Sequence, residues 1–485
     1  MNLETLRHRM VPLRESGRFS APWLDTFEAW IAGADEAALF RVNPVAFARA
    51  HGVAEPLAID LFVHATRAGI FDFNWGLICP TCFGFITTPG GLRSLANKRQ
   101  CAMCQVDAGS YLDDGVEVSF TVNPAIRPLR FHGAWSALAP RPDGHAALID
   151  DALRLYFSHA MPAESGITEI FRRSVVSLGV LPRATPLEVR FDLDPSAPGE
   201  LRLVAPALHA VANLTVDPNG ASTASVHIDD GRAVPETVAL RPGPVALTLT
   251  QSTDLPELLF ALFRLDFDAA GPVPHGQSPF GVASLAFLSG KRLLSNQSFR
   301  ELFRTETLPP DGALEIRALA MLFTDLKAST QLYERVGDLR ALALVREHFE
   351  LLREVVDAHQ GAVVKTIGDA VMATFADPVS ATHAAVAMHR ALEKVPELEL
   401  KVGLHQGPCV AVDSNARLDY FGQTVNIAAR VQGLADGREV VLTDAVLQSP
   451  GVSQALAQAG LPLSAELATL KGIDLPVAVH RAKVA

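Results

Sequence analysis

The chain has 485 residues, of which 49% are hydrophobic and 20% charged, with a formal net charge of -11 and a pI near 5.8. That length allows two to four domains with sizeable cores, and the negative balance argues against a protein that coats nucleic acid or anionic membrane nonspecifically. No run approaches the ~18–20 apolar residues needed to span a bilayer, and the opening MNLETLRHRM lacks the charged-then-apolar pattern of a signal peptide. A cytoplasmic protein with no membrane partner is expected.

Residues 1–75 have a helical pattern: Asn43-Pro44 is a helix start, Pro56 opens a second apolar-periodic run, and Gly69 closes it. Residues 76–110 change character. CPTC at 79–82 and CAMC at 101–104, 18 residues apart, have the spacing of a zinc ribbon, with Cys79, Cys82, Cys101 and Cys104 closing a tetrahedral structural Zn²⁺ site. Four of five cysteines in two close pairs suit metal-bound thiolates in a reducing compartment better than a disulfide framework; Cys409, left over, suits a small core residue. A helical module before a ribbon raises the question of DNA binding, but residues 1–110 hold ten Lys/Arg and ten Asp/Glu, so no basic stripe marks a nucleic-acid partner.

From 111 to 295 short apolar alternations such as VEVSFTV, LEVRFDL, LRLVAP, ASVHI and VALTLT alternate with turn clusters. They predict a β-rich, sandwich-like domain, with helices near 145–160 and 165–173. A linker, 296–312, carries a short amphipathic piece and ends in Pro-Pro-Asp-Gly. Residues 313–485 alternate strands and helices: ALAMLFTDL, a helix from about Asp338 to His359 with apolar positions Leu342, Val345, Phe349, Leu352 and Val356, and the hairpin VVKTIGDAVMATF. A helix opened by Asp377-Pro378, the strand ELKVGLH, a helix near TVNIAARVQGLA, the strand EVVLT and a final hairpin follow. The fold class is α+β.

Three segments of this last region hold chemistry-bearing residues. FTDLKAST ends a strand on Asp325 and turns into a helix; an acid there suits either a hard metal ion beside phosphates or a helix cap. Lys365 precedes the hairpin turn and Asp369 lies in it, where Gly-Asp is also ordinary turn chemistry. DYFGQTVNIAAR puts Asn426 and Arg430 four apart on one helix face, with Asp419 upstream in a Gly-containing turn.

Together, FTDLKAST, KTIGDAVMATF, VGLHQGPCVAV and DYFGQTVNIAAR resemble the class III nucleotidyl cyclases across essentially all of 315–485. The resemblance implies a ferredoxin-like catalytic domain. By it, Asp325 and Asp369 hold two divalent ions, Mg²⁺ or Mn²⁺, and Lys365 and Asp419 read the base edge. A lysine donor and a carboxylate acceptor match adenine's N1 and N6, so ATP is expected over GTP, with a guanylate cyclase as alternative. Asn426 would orient the ribose, and Arg430 would stabilise charge at the phosphorus. Lys471 is a candidate for the terminal phosphate or a solvated lysine.

In that family the site forms between two cyclase domains; this single domain carries both residue sets, which implies a head-to-tail homodimer with Lys365 and Asp369 serving different sites. Ala328 and Val412 depart from positions where the family commonly has Gly. A noncatalytic nucleotide-sensing or dimerising module is the reading from a different class. The front half, through NPAIRP at 123–128 and FRELF at 299–303, resembles the zinc-ribbon-containing regulatory region of some soluble bacterial adenylate cyclases. Sensor and dimerisation scaffold both remain open for it.

Overall fold

The computed structural model describes residues 1–484 apart from 96–97, 104–105, 110, 136–143, 162–166, 198, 230, 266–286, 307 and 309–311. It divides into two compact units, one of residues 1–110 with 114–288, the other of 111–113 with 289–485. No helix among the described residues is long and apolar enough to cross a membrane.

The first unit begins with helices Leu3–Glu15, Ala21–Gly33, Pro44–His51 and Glu55–Arg67. Asn43 caps the third through its side chain, which accepts the Val45 N–H at 3.0 Å, and Gly52 ends it at φ 66°. The helical segment was read to residue 75, but a strand, Phe71–Ile78, starts earlier. The period-2 set Phe71, Phe73, Trp75 and Leu77 is buried, and the strand pairs antiparallel with Val116–Val122. VEVSFTV therefore completes this sheet rather than joining the sandwich.

The sandwich runs from Val175 to Leu265. One sheet has the order Arg232–Val234, Thr223–Asp229, Gly243–Gln251, Leu187–Leu193; the other has Thr237–Leu240, Ala210–Ala221, Glu200–Ala205, Glu257–Leu265, Val175–Pro182. Leu193, Val226 and Leu247 from the first meet Leu203, Leu214 and Leu262 from the second in one core, which is why these strands alternate apolar and polar residues. The expected helices are Gly144–Tyr156 and Ile167–Arg173.

The second unit is an α+β domain built on one mixed sheet. Its sheet has the order Gly361–Ile367, Ala370–Phe375, Ala313–Leu326, Leu400–Asp413, Glu439–Thr443, Val477–Lys483, Leu463–Ala468, with Leu418–Phe421 added to the far end of Leu400–Asp413. Helices Asp338–Ala358 and Pro378–Leu392 bury Leu344, Leu352, Ala384 and Met388 against Leu322, Ala373 and Val402 on one face. The buried stripe of the long helix is Ala341, Leu344, Val345, His348, Leu352 and Val356. Leu342, expected inward, is 46% exposed, because this stripe follows the 3.6 period one step earlier.

Helix Gln423–Leu434 covers the other face, with Val431 packed on Val441 and Val479. It comes close enough that a Cβ on Gly403 would lie 2.2 Å from the Gln432 nitrogen. Only glycine allows that approach, which fixes the helix carrying Asn426 and Arg430 on the sheet.

The residues expected to be a linker belong to this unit. Helices Gly290–Leu294 and Gln297–Leu302 are capped by Ser289 and Asn296, and the strand then begins at Ala313. Tyr111–Asp113 also belongs here: Leu112 N–H donates to the Glu315 carbonyl at 3.0 Å, and Asp113 lies 2.9 Å from the Lys291 ammonium.

Candidate active site

Asp325 and Asp369 converge through strand register. Phe323 stands opposite Met372 in an antiparallel ladder, so continuing it two residues sets Asp325 against Ala370, next to the turn that holds Asp369. The Thr324 hydroxyl accepts the Val371 N–H at 3.1 Å and ties the two together. Asp369 Oδ2 is buried with no hydrogen-bond partner among the described residues, while the Asp369 carbonyl accepts from His348 Nε2 at 3.3 Å. A desolvated carboxylate oxygen without a partner is costly, and a hard divalent cation would satisfy it. The two carboxylates thus fit Mg²⁺ or Mn²⁺.

Asp325 has a neighbour that the sequence reading missed. Lys401 Nζ donates to Asp325 Oδ2 at 3.1 Å from the directly opposed position on the next strand. The signal was a lone lysine inside the apolar strand ELKVGLH, but only the register shows what it faces.

Lys365 and Asp419 meet. Their Nζ and Oδ2 atoms are 2.5 Å apart, with the lysine 40% and the carboxylate 17% exposed. Lys365 lies on the edge strand of the sheet, Asp419 on the short strand paired to Val410–Asp413. Asp419 also accepts the Tyr420 N–H at 2.8 Å.

Asn426 is exposed and Arg430 half-buried on helix Gln423–Leu434. The Arg430 guanidinium lies beside Gly472: a Cβ there would be 3.6 Å from Nη2. Gly472 has φ 72°, so the turn needs glycine. The exposed Lys471 is its chain neighbour, so this turn sets Lys471 near Arg430.

Ala328, where the family commonly has Gly, takes φ 54° in the turn after Asp325. The turn demands a left-handed residue, and alanine adopts it at a cost of about 1 kcal/mol. Val412 sits in regular strand opposite Ala313 and Asp419.

In the first unit the thiols of Cys79, Cys82 and Cys101 lie within 4.8 Å of one another, all buried; Cys104 lies outside the described residues. Cys82 and Cys101 sulfurs are 3.9 Å apart. Tetrahedral zinc with ~2.3 Å bonds would space its sulfurs by about 3.8 Å, so the cluster fits a metal. The Thr81 N–H donates to Cys79 Sγ at 3.5 Å, as a knuckle turn does. These thiols pack in one core with Phe157, Phe171 and Phe263, so the thiol cluster is integral to its unit.

Comparison with known families agrees with this architecture. Residues 313–454 match the adenylate and guanylate cyclase catalytic domain, so the chain ends in a class III nucleotidyl cyclase domain. Residues 6–301 of 485 match the family described as "Family of unknown function (DUF5939)", and the chain belongs to that family. Among curated relatives, Adenylate cyclase 1 of Rhizobium meliloti is 29% identical over 326 residues, covering 59% of this chain and 48% of that protein. An adenylate cyclase of Anabaena cylindrica is 26% identical over 193 residues, 36% of this chain and 38% of that one. The chain thus spans less than half the length of either. Among solved structures, the adenylyl cyclase CyaB from P. aeruginosa is 19% identical, covering 36% of this chain and 97% of that one with a TM-score of 0.32.

Proposed function

We propose that the chain is an adenylate cyclase converting ATP to 3′,5′-cyclic AMP and pyrophosphate, at sites shared between two copies of the chain in a head-to-tail homodimer. The carrying observation is the Lys365–Asp419 pair, an ammonium donor and a carboxylate acceptor side by side. That pairing matches adenine, whose edge offers an acceptor beside a donor; guanine presents the reverse.

Divalent ions bound by Asp325 and Asp369 would supply activation of the ribose 3′-hydroxyl and neutralise the triphosphate. The chain's own groups do the rest. Lys365 and Asp419 seat the base, Asn426 orients the ribose, and Lys471 takes the terminal phosphate. Arg430 meets the charge that builds on the α-phosphoryl oxygens. The 3′ oxygen bonds to the α-phosphorus, the bond to the bridging oxygen breaks with its electrons on pyrophosphate, and the hydroxyl proton passes to solvent.

Ile367, between Lys365 and Asp369, is 54% exposed, and Phe421, two residues past Asp419, is 73% exposed, so both apolar side chains are open to a partner subunit. The first unit takes the regulatory role, with structural Zn²⁺ held by its cysteines.

Incubation of the purified protein with Mn²⁺ and either ATP or GTP, followed by product identification, tests the reading. Cyclic AMP from ATP is expected. A dimeric protein that cyclises neither nucleotide would leave only a noncatalytic role for the domain.

A further inference from the structure

The helix Gln297–Leu302 lies outside the residues matched to the catalytic domain, yet it bonds to both strands that carry the Lys365–Asp419 pair. Gln297, 5% exposed, accepts the Val363 N–H through Oε1 at 2.8 Å, two residues before Lys365. Its amide orientation is set by a 2.6 Å bond from Nε2 to Glu301. Arg300 Nη2 donates to the Leu418 carbonyl at 2.6 Å, one residue before Asp419. The same guanidinium lies 5.7 Å from the centre of the Tyr420 ring, one residue after it, and the Tyr420 hydroxyl donates to the Leu294 carbonyl at 3.4 Å.

Gln297 and Arg300 are three apart, so one helix face reaches both strands. Phe299, 1% exposed, anchors the helix by burial, and the polar bonds add a tie to each of the two strands. A cavity of about 280 Å³, lined in part by Phe303, Phe349, Val364 and Arg417, opens along the helix.

We propose that Gln297 and Arg300 are positioning residues for nucleotide selection. They hold the Lys365 strand and the Asp419 strand at the separation at which one purine can bond to both side chains. The proposal rests on reading that pair as the base-recognition group. Hydrogen bonds weaken steeply past ~3.5 Å or off axis, so a shift of about 1 Å between the strands would break one of the two bonds and blunt the choice of base.

The test is steady-state kinetics of the full chain with Mn²⁺ and ATP or GTP for wild type, Arg300→Ala, Arg300→Lys, Gln297→Ala and Lys365→Ala, alone and combined with Arg300→Ala. Loss of one base contact is worth about tenfold. Arg300→Ala should therefore raise KM for ATP about tenfold and narrow the ATP-over-GTP preference, with kcat changed less. Arg300→Lys, which keeps a donor and the charge, should recover part of the selectivity. In the Lys365→Ala background Arg300→Ala should cost little more, because the pair it positions is already broken. If Arg300→Ala does not fold, Arg300→Lys and Gln297→Ala carry the same comparison. An active wild type whose helix variants keep its KM and selectivity, or lose kcat alone, would overturn the positioning role only. A wild type that prefers GTP, or cyclises nothing, would overturn the base-recognition reading, and this proposal with it.

Discussion

Lys365 and Asp419 are 54 positions apart in the chain, and their charged atoms stand 2.5 Å apart. The lysine is 40% exposed, so the pair contributes little to stability. Asp419→Ala should change the unfolding free energy by less than about 1 kcal/mol while lowering kcat/KM for ATP at least ~tenfold. Replacing both, Lys365→Glu with Asp419→Ser, should move the preference toward GTP. Urea titration and nucleotide competition check the two halves. Large destabilisation with unchanged selectivity would make the pair a structural ion bridge.

Ala328 holds φ 54° where glycine is at ease. Ala328→Gly should stabilise the protein by up to about 1 kcal/mol, offset in part by glycine's greater freedom when unfolded. Equilibrium denaturation measures it, and a destabilised variant would mean that the Ala328 methyl makes contacts worth more than its strain.

His389 and His405 are 5% and 9% exposed, and burial pushes each down to about 4. Both are neutral in the folded chain near pH 5, while the unfolded chain binds their protons below its ordinary value of 6.5. Their contribution is therefore present above pH 6.5 and is lost as pH falls from 6.5 toward 4, by up to about 1.4 kcal/mol per pH unit for each. His405→Gln should flatten that slope in urea titrations between pH 7 and 5. An unchanged slope would show that His405 is not neutral in the folded state.

The thiol cluster makes a stoichiometric prediction. The purified chain should carry about one zinc per subunit, and Cys79→Ser should lose it and destabilise the first unit. A chelator should expose four reactive thiols in place of none. Cys409, 4% exposed and pushed up to about 12 by burial, should stay unreactive in the native protein throughout. Metal analysis and alkylation with mass detection read both; normal zinc in Cys79→Ser would contradict the site.

What was legible in the sequence was local. Proline and asparagine starts placed Pro44–His51, and Asp377 does cap Pro378–Leu392, accepting the Val379 and Ser380 N–H groups at 3.2 and 2.9 Å. The alternations other than VEVSFTV marked sandwich strands, and the CxxC spacing picked out Cys79, Cys82 and Cys101, whose thiols cluster. What escaped depends on register and long-range packing. FDFNW, the first five residues of the strand Phe71–Ile78, was absorbed into the helical segment because the strand's partner, Val116–Val122, lies beyond the cysteine pairs. Lys401 is an inconspicuous strand residue until it is paired with Asp325. Tyr111–Asp113 carries no signal of its own, yet Asp113 Oδ2 accepts the Arg317 N–H at 2.6 Å beside the Lys291 ion pair. The six cyclase positions could be proposed in advance because their segments keep order and spacing. How one protomer joins Lys365 to Asp419 could not.

The central claim is ATP cyclisation at a site built from two copies of the chain, and mixing two damaged proteins tests it most directly. Asp325→Ala and Arg430→Ala should each be nearly inactive with ATP and Mn²⁺. A heterodimer of the two keeps one undamaged site and one doubly damaged one, so an equimolar, randomly exchanged mixture should regain cyclic AMP synthesis at about a quarter of the wild-type rate. Persistent inactivity, with subunit exchange demonstrated on the same sample, would contradict the account.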